Sequence, residues 1–225
     1  MTDTSRFENF ETLLAARHSC RAFLPDQVAD STIAAIVAAA QRVPSWCNAQ
    51  PWQVIITRGQ ATEDFRAAMA RAVATAGHNA DIPFPAGYDG IYKDRRSICG
   101  WQLYDAVGVV KGDRAASAAQ MRENYRFFGA PHVAVVTSPK QLGTYGVLDC
   151  GAFVTGFMLA AKAAGVASIA QAAIAGYSAE VRAHLGVAAD RDIVCVISFG
   201  LGDTGHPANG FRTARATPDQ VIDWR

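Results

Sequence analysis

The chain has 225 residues, of which 50% are hydrophobic and 18% charged, with a formal net charge of +1. This composition excludes a disordered or fibrous chain, and the length suits one large domain over residues 1–225, or two small ones, with a sizeable core. The near-neutral balance supplies no global field for nucleic acid or anionic lipid, so neither is expected as a partner.

Only four of the 21 basic residues are lysines, at 93, 111, 140 and 162, so single arginines are common and only clusters are informative. Cys20, Cys47, Cys99, Cys150 and Cys195 show no C-x-x-C pair. With a polar N-terminus that lacks a signal-peptide pattern, they predict reduced thiols and a cytoplasmic location.

Along the chain, Phe7, Phe10, Leu13 and Leu14 share one face of a helix over 7–16. A second helix opens near Asp30 or Ser31, either of which can cap it. It turns Ile33, Ile36, Val37 and Ala40 inward and stops at Pro44. Between it and a β-branched strand over 53–57 lies PSWCNAQPW, more polar and more aromatic than a connector needs. A flat, partly polar ligand would account for that content.

A helix over 62–76 closes at Gly77. Residues 77–93 carry two prolines, three glycines, Phe84, Tyr88 and Tyr92, and read as a long loop of the kind that forms lids. Helices over about 94–109 and 113–127 follow, then a strand over 132–137. An apolar helix over 148–164 precedes a strand over 166–170, a helix over 179–185 capped by Ser178, and a strand over 192–200. Thr217 and Pro218 start a last helical turn.

The apolar run from Gly151 invites a membrane reading, but Lys162 interrupts it and a buried helix followed by a strand is expected instead. Helices that outnumber scattered strands predict an α+β fold, with one mixed, mostly antiparallel sheet covered by helices.

GLGDTG (200–205) satisfies G-x-G-x-x-G after a strand. No helix opens there, and no second strand follows with an acidic residue about twenty positions on, so a glycine-rich turn is the better reading. The five histidines are dispersed, and no metal site is predicted. RHSCR (17–21) is more informative. Arg17, Ser19 and Arg21 share a face on a strand, and the two arginines share one on a helix, so two guanidinium forks and a hydroxyl converge as a phosphate requires. Arg212 and Arg215 in FRTAR repeat the theme near the other end.

ARHSCRAFLPDQV, PSWCNAQPWQVII, GVASIAQAAI and NGFRTARATPDQVIDW, in this order, resemble the FMN-dependent nitroreductase family over nearly the whole chain. NYRFFGAPHVAVVT and VRAHLGV resemble its branch of bacterial nitroaryl reductases. The resemblance implies FMN as cofactor, NAD(P)H as co-substrate, and a homodimer with active sites at the interface and a long central helix in it. It also implies a small aromatic electron acceptor, a nitroarene or quinone, reduced in a ping-pong cycle.

By the same resemblance, Arg17, His18, Ser19 and Arg21 hold phosphate and ribityl, with Arg212 and Arg215 closing on the phosphate. Pro44, Ser45, Trp46 and Asn48 wrap the flavin from the partner subunit. The backbone of Ala170, Gln171, Ala172 and Ala173 runs along the ring. No catalytic side chain is implied, because the flavin carries the hydride chemistry.

Phe84, Tyr88, Tyr92, Trp101 and Phe128 are candidates for an aromatic substrate lining. Trp46 stands where many relatives have serine and would narrow the pocket. Flavin-consuming or dehalogenating chemistry on the same scaffold, and flavin binding without turnover, are the competing readings.

Overall fold

The computed structural model describes residues 3–225. Its helices are α1 (Asp3–Ala16), α2 (Asp30–Ala40), α3 (Gln60–Thr75), α4 (Gly90–Ala106), α5 (Arg114–Arg122), α6 (Gly143–Ala163), α7 (Ala172–Ala175) and α8 (Ser178–Leu185). Its strands are β1 (Gln53–Thr57), β2 (His132–Pro139), β3 (Ala167–Gln171) and β4 (Arg191–Gly200), ordered β1-β2-β4-β3.

Every pairing among these strands is antiparallel. The expected mostly antiparallel sheet is what forms, and the one parallel element among the described residues is an isolated bridge from Ser19 to Ser168. It sets the RHSCR segment alongside β3.

Side-chain alternation in the strands divides the interior into two layers. Val133 and Val135 face a core with Phe65, Met69 and Phe127, beneath α3 and α8. Ala134 and Val136 face the other, with Ile33, Ile36 and Ala40 of α2 and Phe153 and Phe157 of α6. Trp52 belongs to this second core, stacked on Phe153 at 5.3 Å, while its indole N–H donates to Gln41. One of the two loop tryptophans is therefore explained by packing. The other, Trp46, is 64% exposed.

Helix α6 is apolar and long enough to pass a membrane-span test by length and composition, yet its buried face packs on the sheet and on α2. At Gly156 a Cβ would stand 2.7 Å from the Val43 side chain and 3.4 Å from the Ala40 carbonyl. That close approach serves α2 of the same chain.

Several local expectations shift. The α2 N-cap is Ala29 and makes no side-chain bond, while Asp30 pairs with Arg58. Ser178 is the first helical residue of α8, and its hydroxyl donates to the Ala175 carbonyl. Helix α4 starts at Gly90, so Tyr92 lies on a helix and the preceding loop is shorter than read. The expected helix over 113–127 ends at Arg122 and continues as a 3₁₀ segment, Glu123–Gly129, in which Phe127 and Phe128 have positive φ. Thr217 and Gln220 form the capping box of the last turn, as the sequence indicated.

Candidate functional site

The two arginine pairs meet. Arg17, His18, Ser19 and Arg21 line one cavity of roughly 240 Å³ together with Phe211, Arg212 and Arg215. The segment over 17–21 is held against β3 by the Cys20 amide, which donates to the Ser168 carbonyl at 3.1 Å. The C-terminal segment is held by Asn209, which is buried. Its Oδ1 accepts from the Arg21 amide at 2.7 Å, and its Nδ2 donates to the carbonyls of Ala22 and Asp203.

Asn209 is thus a staple between regions 188 residues apart. Residue-type reasoning missed it because a lone asparagine carries no pattern.

Among the described residues, none of Arg17, Arg21, Lys162, Arg212 and Arg215 forms an ion pair. Burial, and then the charge of Arg215, lowers the pKa of Arg17. Burial likewise lowers that of Arg21, partly offset by the thiols of Cys99 and Cys20, while its guanidinium lies 5.7 Å from the Phe211 ring centre. Half-buried cations without carboxylates are costly unless an anion joins them. The residues present therefore suit a phosphate. A cavity this small takes the phosphate end of a nucleotide and not its ring.

Pro44, Ser45 and Trp46 do not reach these arginines. They line an open groove of roughly 780 Å³ with Leu148, Thr155 and Leu159 along α6. Both carboxylate oxygens of Asp149 accept from the Trp46 amide, and the Trp46 ring tilts over Tyr145 at 5.1 Å. Cys47, Asn48 and Gln50 all have positive φ. Three non-glycine residues in left-handed backbone within one exposed loop store strain of the kind found at binding sites.

Ala170 to Ala173 form the end of β3 and the start of α7. The parallel bridge at Ser19 and Ser168 directs Arg21 toward this end. The side chain of Gln171 is committed elsewhere, donating to Asn124 and accepting from Ser198, which leaves only its backbone available.

The aromatic residues are not gathered into one lining. Phe84 packs beside Gly176, edge-on to His78. Tyr88 lies under Arg96, and Tyr92 is exposed on α4. Trp101 borders a separate cavity over residues 105–111. Phe128 is a correction: it is 5% exposed in the core, because the left-handed turn at 127–128 directs both rings inward.

Fold and site together define an α+β protein with a small pocket lined by arginines from residues 17–21 and 212–215. Residues 14–201 match the model of the Nitroreductase family, and the chain belongs to that family. It is 36% identical to nitroreductase NfnB of Mycolicibacterium smegmatis, over 92% of this chain and 88% of that protein. It is 31% identical to a 4-nitrobenzoate reductase of Nocardioides sp., over 96% and 89%.

Among solved structures, the FMN-dependent nitroreductase NfnB of Mycobacterium smegmatis in complex with NADPH superposes with a TM-score of 0.93. The identity is 34%, and 97% of this chain and 99% of that one are covered. The FMN and NADPH-dependent NfnB of Sphigopyxis sp. strain HMH gives 0.92 at 32% identity, covering 96% and 98%.

Proposed function

We propose that this chain is an FMN-dependent oxidoreductase that uses NAD(P)H to reduce nitroaromatic or quinone-like acceptors, working as a cytoplasmic homodimer. The observation that carries this reading is the cluster of unpaired arginines from 17–21 and 212–215 around one small cavity, in a chain similar to FMN and NADPH-dependent nitroreductases. FMN, when bound, would supply the hydride and electron-transfer chemistry.

The chain's own residues bind and orient. Arg17, Arg212 and Arg215 would hold the phosphate, together with His18 and the Ser19 hydroxyl. Arg21 would hold positive charge toward the end of β3, where the backbone of Ala170, Gln171, Ala172 and Ala173 would support the ring.

Pro44, Ser45 and Trp46 sit beside α6, away from the arginines of their own chain, and with Asn48 of the same loop are offered to the flavin of a second copy. Exposed Phe7, Phe10, Leu14, Tyr145 and Leu148 support that dimer, since large apolar side chains on two helices gain by being covered. Phe84, packed beside Gly176 at the end of α7, is the aromatic residue offered for stacking on an acceptor.

The test is purification, followed by the absorbance spectrum and identification of the released chromophore, then steady-state NADH and NADPH oxidation with a nitroarene. A colourless protein, or flavin that stays oxidised under excess NADH and NADPH, sinks the reading.

A further inference from the structure

We propose that a second cavity, behind the arginines assigned to the flavin phosphate, is an oxyanion site that takes a phosphoryl group. The proposal rests on the flavin reading only in that it gives the first cavity to FMN. Alternation along RHSCR separates the two faces: Ser19 and Arg21 line the first cavity, whereas Cys20 lines the second. Arg17, His18 and Arg212 form the wall between them and line both. The second cavity is the larger, at roughly 400 Å³.

What the second face adds is Lys162 from the last turn of α6, together with the turn at Gly202, Asp203 and Thr204. The GLGDTG motif that fails as a dinucleotide fingerprint thus has a place as a rim. At Gly202 a Cβ would stand 3.1 Å from the Ala167 Cβ and 3.3 Å from the Cys20 sulfur, so the turn lies close against β3. The Asp203 carboxylate accepts from the Gly205 amide, and among the described residues no lysine or arginine pairs with it.

The C-terminal end of α6 borders the cavity, and its last turn is capped within the chain. The amides of Ala164, Gly165 and Val166 take up the carbonyls of Ala160, Ala161 and Lys162.

Charge balance supports a second anion. Arg17, Arg21, Lys162, Arg212 and Arg215 carry five positive charges against one carboxylate across both cavities. A phosphomonoester brings about −1.5 to −2, so roughly two positive charges stay uncompensated. The imidazole of His18 registers this surplus: burial, and then Arg212, Lys162 and Arg17, hold its pKa below the ordinary value.

A phosphoryl group can come from free phosphate or from the 2′-phosphate of NADPH, and the test separates them. Holoenzyme is titrated with inorganic phosphate at constant ionic strength, following melting temperature and flavin release. Saturable protection with flavin retained is expected, with apparent affinity at least tenfold weaker in Lys162→Gln, weakened to a lesser degree in Thr204→Val, and restored in Lys162→Arg.

If the 2′-phosphate is the source, Lys162→Gln also raises KM for NADPH about tenfold and leaves KM for NADH unchanged. If free phosphate is the source, neither KM moves. The proposal is overturned if the parent protein shows no saturable protection, if Lys162→Gln leaves it undiminished, or if phosphate protects only as it expels flavin. Should the protein purify without flavin, the preceding reading fails, but the same titration still reads this cavity through Lys162→Gln against Arg21→Ala.

Discussion

The carboxylate of Asp149, in the middle of α6, accepts the Trp46 amide on both oxygens at 3.1 Å each. Asp149 is 8% exposed and has no cationic partner among the described residues, so this amide is its principal compensation for burial. Asp149→Ala is expected to cost about 1.5–3 kcal/mol of stability and to free the Trp46 loop. Asp149→Asn, which keeps one acceptor, loses less. Urea denaturation measures the cost and Trp46 fluorescence reports the loop; an alanine variant as stable as the parent would refute the anchoring role.

Arg17→Ala is expected to have opposite effects on the two forms of the protein. Without an anion, the side chain is a half-buried cation facing Arg215, so the flavin-free variant melts no lower than its parent. With flavin, the loss of a charge-assisted contact of about 1.5–3 kcal/mol weakens retention by roughly ten- to a hundredfold. Arg21→Ala loses flavin similarly. Equilibrium flavin titration checks both, and unchanged occupancy in the two variants rules out the phosphate role.

His132 gives a pH dependence whose sign is fixed. Its ring is buried against Phe199, with the Val28 amide donating to Nε2 and Nδ1 facing the Thr57 carbonyl. Burial lowers its pKa in the folded state, so the unfolded chain binds the proton more readily. Its contribution to stability is complete above the unfolded value near 6.5 and is lost as pH falls from there toward the folded value. His18 shifts the same way, so the experiment uses His18→Asn as background. The urea midpoint should fall between pH 7.5 and 5.5, and a flat profile would contradict the assignment.

Gly156→Ala should destabilise by about 1–3 kcal/mol through overpacking, because the added methyl meets Val43 and the Ala40 backbone together. Adding Val43→Ala should recover part of the loss. Thermal melts of the single and double variants decide whether the gap belongs to α2.

Cys47→Ser should leave turnover nearly intact. Cys47 is exposed, and the chemistry invoked needs no thiol. A dead variant with full flavin content would reveal a nucleophile that neither sequence nor structure brought forward.

Much of this architecture was legible in the residues. Alternation and β-branching marked β1, β2 and β4 closely, and helical spacing marked the buried face of α2. The arginine pairs stood out because clusters are rare even in an arginine-rich chain. What stayed hidden has physical reasons. Phe127 and Phe128 adopt a backbone that glycine usually signals, so nothing in the letters warned that the helix had ended or that Phe128 was core. Helix α4 begins in a stretch whose prolines, glycines and tyrosines read as loop. Lys162 and Asn209 act through tertiary proximity alone, and isolated residues have no spacing to read.

Asn209 has a further consequence for the order of events during synthesis. Because it closes the Arg21 segment with residues 188 positions further along, the arginine-lined pocket cannot form until residues 209–215 have been synthesised. A polypeptide stopped before residue 209 would carry all four strands and both hydrophobic layers but would lack the arginines at 212 and 215 and the staple that holds them to Arg21.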